Sequence, residues 1–207
     1  MLTQRLQWTV TRTNVVNCLP MTTTRGLHQS ARSLNAQSTA GSTLLPEFSL
    51  QDKVIIVSGG ARGVGLTQAE ALLEAGATVH ALDRLPVPDE GSDFARVTAR
   101  AKELGTSLCY HRIDVRDQAA LNAVVGGIAD QAGHIDGLIA AAGIQQETPA
   151  LEYSAEDSDK MLGVNVTGVF MTAQAVARQM IKRQQKGSLV VIASMSGTVA
   201  KRGLICP

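Results

Sequence analysis

Lys53-Val54-Ile55-Ile56-Val57-Ser58-Gly59-Gly60-Ala61-Arg62-Gly63-Val64-Gly65 is the stretch on which the rest of the chain turns. Apolar, mostly β-branched residues run into a glycine-rich bend. An apolar stripe at helical spacing, Leu66, Ala69 and Leu73, follows at once. Strand, tight turn and helix N-terminus in that order make a phosphate cradle. The bend needs glycine because the backbone turns sharply and must approach a ligand with no Cβ in the way. The helix start leaves N–H groups unpaired and carries partial positive charge, and both suit a pyrophosphate. Ser58, Gly59, Arg62, Gly63, Val64 and Gly65 form the candidate phosphate-binding set.

Downstream, the same rhythm continues. The first helix is predicted to run to about Ala75, with Gly76 as its stop. Strands are predicted at Val79 to Asp83, Leu108 to Ile113, Gly137 to Ala141 and Ser188 to Ala193. Helices are predicted from about Phe94 to Leu104, from Asp117 to about Gln131, and as one long helix from about Ala155 to Gln184. Alternation of this kind predicts an α/β fold of the Rossmann type, a doubly wound parallel sheet with helices on both faces and five strands in this chain. Ligands of such sheets bind beyond the carboxyl ends of the strands. That edge carries Gly59, Asp83, Asp114, Gly143 and Ser194, one after each strand.

Composition narrows the function. Of the 207 residues 44% are hydrophobic, enough for a full core, and the net charge of +1 argues against a general nucleic-acid binder. No apolar run is long enough to span a bilayer. Cys18, Cys109 and Cys206 show neither metal spacing nor a disulfide framework, which suits a reducing compartment. Residues 1–46 hold Arg5, Arg12, Arg25 and Arg32, many hydroxyl residues and no acid. That reads as a mitochondrial presequence cut between Arg25 and about Thr43, delivering a domain of residues 47–207 to the matrix. The alternative is a disordered tail without an address on a cytoplasmic protein. Loss of the four arginines takes the formal charge from +1 to −3.

Ser58-Gly-x-x-x-Gly-x-Gly65, with Gln at position 68, resembles the Thr-Gly-x-x-x-Gly-x-Gly turn of the short-chain dehydrogenase/reductase family. The resemblance covers about residues 48 to 207. Around Ser58 to Asp83 and Ala193 to Gly197 it resembles fungal polyol dehydrogenases and ketose reductases. It implies hydride transfer between a nicotinamide and a secondary alcohol or ketone. Asp83, 24 positions beyond Gly59, would accept the ribose hydroxyls of an adenosine and repel the extra phosphate of NADP, which puts NAD ahead of NADP. Arg84 beside it could pair with that phosphate, and Asp83 could equally be a turn residue capping the next segment. Asp114-Val115 would lie along the adenine, or Asp114 could be a helix N-cap. Ala140-Ala141-Ala142-Gly143 stands where the family has Asn-Asn-Ala-Gly, with Ala142 and Gly143 beside the nicotinamide ribose. Asn165, in Gly163-Val-Asn-Val-Thr-Gly168, matches the family's helix-bending catalytic Asn; otherwise it is a core polar residue satisfied locally. Ser194 matches the family's catalytic serine, with Ser196 the competing choice.

The family moves its proton through a tyrosine with a lysine four residues on. The two tyrosines here, Tyr110 and Tyr153, are followed at that distance by Asp114 and Asp157. Two readings stay open. One is an enzyme gene whose record ends early at Pro207, its last strands missing and its subunits able to pair if full-length. The other is a dinucleotide-binding module without turnover. Either way the 207-residue chain is expected to be nearly inactive. The truncated reading also predicts exposed apolar surface beyond strand five.

Overall fold

The computed structural model of the protein describes residues 46–194. A short 3-10 turn at Pro46–Phe48 leads into β1 (Val54–Ser58), α1 (Gly63–Glu74), β2 (Thr78–Asp83), α2 (Asp93–Glu103) and β3 (Ser107–Arg112). Then come α3 (Gln118–Ala132), β4 (Gly137–Ala140), α4 (Ala155–Leu162), a π-helical turn (Gly163–Gly168), α5 (Val169–Lys182) and β5 (Ser188–Val191). The strands form one parallel sheet in the order β3-β2-β1-β4-β5. The Rossmann-type sheet expected from the alternation is therefore the fold.

The core explains the order. β1 lies at the centre and all five of its residues are buried. Side chains alternate across it. Val54 and Ile56 join Leu82, Leu138 and the inner faces of α3 and α5. Ile55 and Val57 join Val79, Ala81 and the inner faces of α1 and α2. A fully buried side chain such as Ile56 contributes about 2–3 kcal/mol relative to exposure. Burial on both faces is why β1 reads as an unbroken apolar run.

Three expectations change. The single long helix is interrupted: Gly163–Gly168 widens into a π-turn between α4 and α5. The cause is Asn165, which reaches out of the helix to a neighbouring loop. Strand five ends at Val191 and strand four at Ala140: the next ladder bond between them, Ile192 N to Ala140 O, is already stretched to 3.4 Å. Cys109 on β3 is disulfide-bonded, against the reading of the cysteines as carrying no disulfide framework. The presequence-like stretch lies outside the described residues except for Pro46. β5 does carry exposed apolar side chains, Leu189, Val190 and Val191, with Ile192 just beyond it, each 42–55% exposed.

Candidate functional site

The site is a cleft across the carboxyl ends of the strands. Eleven residues of the expected cofactor set line it: Gly59, Arg62, Gly63, Val64, Gly65, Asp83, Arg84, Asp114, Val115, Ala142 and Gly143. Ser58, the twelfth, sits buried beneath it.

At the phosphate end, β1 delivers Gly59 at φ +71, and a Cβ there would lie 2.8 Å from Ala141 O. Only glycine tolerates both conditions. α2, α3 and α4 are closed by side chains: Ser92, Asp117 and Ser154 accept from Ala95, Ala120 and Asp157 amides. α1 is not. Its N-cap residue, Arg62, makes no side-chain cap hydrogen bond. The first-turn amides of α1 therefore keep their preference for an external anion. Gly63 takes φ +56, and a Cβ there would meet nothing within 4 Å, so the turn is open on the cleft side.

At the β2–β3 end Asp83 is tied twice. Its Oδ2 accepts from Ala61 N at 3.1 Å, and its Oδ1 from Leu85 N at 3.2 Å. Each oxygen retains a lone pair for a ribose hydroxyl. The turn-capping role and a cleft-facing role thus coexist. Tyr110 OH donates to Leu85 O at 2.8 Å, and burial, then the nearby Asp83 charge, push its phenol up to about 12. Its ring meets Phe94 edge to face. Arg84 is exposed at the rim. Asp114 is gripped by Arg116: Nη2 lies 2.6 Å from Oδ2, and Nε and the backbone N are each 3.0 Å from Oδ1. The hydrogen bond from the Arg116 side chain holds its carboxyl below the usual carboxylate range. The N-cap alternative for Asp114 is corrected: Asp117 caps α3, because Asp117 Oδ1 accepts from Ala120 N at 3.0 Å.

At the β4 end the backbone is braced from two sides. Ala142 N donates to Ser58 Oγ at 3.2 Å. Ile144 N donates to Asn165 Oδ1, and Asn165 Nδ2 donates to Ile144 O, both at 2.9 Å. The amide of Asn165 thus pairs with a loop as a strand would. These bonds hold the stretch in which Ala140 and Ala141 replace the family's two asparagines. Asn165 and Ser194 are not among the cleft-lining residues; Ser194 is exposed beyond β5. Ser196 and Gly197 lie outside the described residues.

Sequence reasoning missed the apolar walls: Leu82, Leu85, Ile113, Ala141, Ile144 and Val164 also line the cleft. All six stand next to a residue already singled out, and that adjacency was the available signal. The partnership of Arg116 with Asp114 was readable as an acid and a base two positions apart.

The family model for short chain dehydrogenase matches residues 53–206. A short chain dehydrogenase/reductase, notP', from Aspergillus versicolor is 36% identical over 159 residues, covering 76% of this chain and 54% of the relative. A sorbitol dehydrogenase from Cereibacter sphaeroides is 34% identical, covering 72% of this chain and 55% of that protein. The crystal structure of carveol dehydrogenase from Mycobacterium avium in complex with NAD aligns with a TM-score of 0.68 and 27% identity, covering 75% of this chain and 59% of that one. The chain spans little more than half the length of the curated relatives it matches.

Proposed function

The chain belongs to the short-chain dehydrogenase family, and from that premise we propose that it holds a nicotinamide dinucleotide along the cleft, in a protein that transfers hydride between the nicotinamide and an alcohol carbon. One observation carries the reading. The helix start without a side-chain cap, the open face of Gly63 and the carboxylate of Asp83 all border the same cleft. The first-turn amides of α1 would take the pyrophosphate, and Asp83 the ribose hydroxyls of the adenosine. Val115 would lie against the adenine, and Ala142 and Gly143 against the second ribose. Bound NAD would accept or return the hydride.

NAD is preferred over NADP in this reading, because a carboxylate fixed by two amides repels a 2′-phosphate; Arg84 is the group that would soften the preference. The substrate is a small alcohol or ketone, a polyol or ketose by likeness to the sorbitol dehydrogenase. Ser194 would position its oxygen. No tyrosine of the 207 residues has a lysine four positions on. A phenol near its ordinary pKa of about 10 needs such a cation to exchange protons at neutral pH. The 207-residue chain is therefore expected to bind dinucleotide and turn over little. The acid-free, arginine-bearing stretch of residues 1–46 supports delivery to the mitochondrial matrix. The apolar side chains exposed on the π-turn and α5, Val166 and Phe170, support self-association.

The test is equilibrium binding of NAD and NADP to the purified chain, followed by assay with NAD and a polyol series. Tighter binding of NAD with negligible turnover is the expected result. Turnover at ordinary enzyme rates would refute the role given to the absent tyrosine–lysine pair. Binding of NADP ahead of NAD would refute the role given to Asp83.

A further inference from the structure

The π-turn touches both ends of the cleft. At the β4 end Asn165 pairs with the backbone of Ile144, as described. At the β3 end the contact is steric. A Cβ on Gly168 would stand 2.6 Å from Val115 Cγ2 and 3.2 Å from Val115 Cβ. Val115 is 6% exposed and borders the cleft where the chain leaves β3. Gly168 is buried, and its carbonyl is fixed by Thr172 Oγ1 at 2.7 Å, so the turn has little freedom to retreat. Gly163, at the other end of the turn, packs on the loop's next residue: a Cβ there would lie 3.6 Å from Arg116 Cδ. Asn165 faces the loop after β4, and Gly168, three residues on, receives the loop after β3.

We propose that Gly168 is a positioning residue for the cleft: its missing Cβ seats Val115, and the π-turn thereby sets the separation of the β3 and β4 exits that a dinucleotide spans. The inference rests on the dinucleotide reading above and adds a residue to it. A methyl at position 168 cannot share space with Val115 in a packed interior, so Val115 moves. The cleft then changes shape at the β3 end while Asp83 and the α1 amides stay as they are.

The test uses the 207-residue chain and four proteins: wild type, Gly168→Ala, Val115→Ala and the double variant. Folding is followed by circular dichroism and thermal denaturation, binding by calorimetry with NAD and with AMP as a probe of one half. Gly168→Ala is expected to stay folded and bind both ligands about tenfold more weakly, the scale of one overpacked contact. The double variant is expected to return to within about twofold of Val115→Ala alone, since removing the valine methyls relieves the clash. Thermal midpoints separate the two effects: a binding loss at ligand concentrations and temperatures where Gly168→Ala is fully folded is positioning, and one that appears only as the variant unfolds overturns the proposal. Wild-type affinity in Gly168→Ala overturns the proposal, and so does a loss that Val115→Ala does not relieve. If Gly168→Ala fails to fold, Val115→Ile presses the same contact from the other side, and unchanged affinity in that variant overturns the proposal equally. A wild type that takes up neither NAD nor NADP sinks the dinucleotide reading and this inference with it. A wild type that binds, beside a Gly168→Ala that binds as well, sinks this inference alone.

Discussion

At the β2–β3 end of the cleft, polar side chains find fixed partners: Asp83 the backbone amides of Ala61 and Leu85, Tyr110 the carbonyl of Leu85, and Arg116 the carboxylate of Asp114. At β5 the four strand residues, Ser188–Val191, are exposed, three of them apolar, and the ladder thins after Val191. The difference separates two tasks. The first end is tied in place by bonds among the described residues, as a binding surface must be before its ligand arrives. The second end has the apolar character of a strand that packs against something, and among the described residues its side chains stay exposed.

The sharpest break is to strike the junction of the two ends. Gly59→Val puts a β-branched side chain at φ +71 and against Ala141 O. A loss of at least about 3 kcal/mol in urea denaturation and abolished NAD uptake are expected.

Next in size is an acid weakness confined to the tied end. His80 on β2 and His111 on β3 stack, with Nδ1 of one 2.9 Å from Nε2 of the other. Burial, then the His111 charge, lowers the His80 imidazole from 6.5 to about 4. Burial lowers His111 as well. The unfolded chain therefore takes up protons first, so stability present above pH 6.5 falls as pH drops toward 4 and levels off below. The His80 contribution approaches about 3 kcal/mol. Amide exchange in β2 and β3 should rise in that window before exchange in β4. Asp114 and Glu70, lowered first by hydrogen bonds from Arg116 and Arg96, add in the same direction at lower pH.

A smaller break lies at the brace between the ends. Asn165→Ala leaves the Ile144 N–H and C=O without these partners and should cost about 2 kcal/mol by chemical denaturation. The mildest test sharpens the contrast by making one change in two strands. Val57→Thr places a hydroxyl at a site with 0% exposure and should cost about 1–3 kcal/mol. Val191→Thr, at 55% exposure, should stay within about 0.5 kcal/mol. Equal costs would mean that β5 is as well packed as β1.

Legibility in the sequence followed the same division. The run Val54 to Ser58 and its glycine bend are read correctly because local sterics and two-sided burial dictate both. Asp83 is found, but its two amide partners are not, since Ala61 and Leu85 meet it only once β1 and β2 pair. Periodicity alone gives one helix across the π-turn because Met161, Val164, Val169 and Val176 keep an apolar rhythm through it; only the resemblance at Asn165 implies a bend there. The clue was an Asn flanked by Gly163 and Gly168 inside that rhythm. The cap alternative for Asp114 stays open in the sequence because an acid before a helix is ambiguous between positions 114 and 117. Only the observed bond to the Ala120 amide decides.

The account's central claim is that the α1 amides and Asp83 together hold a dinucleotide. Calorimetric titration of the folded 207-residue chain with NAD tests it most directly. The account predicts saturable one-to-one uptake that Asp83→Ala weakens and ADP-ribose competes away. A folded chain that takes up neither NAD nor NADP at millimolar concentration would contradict it.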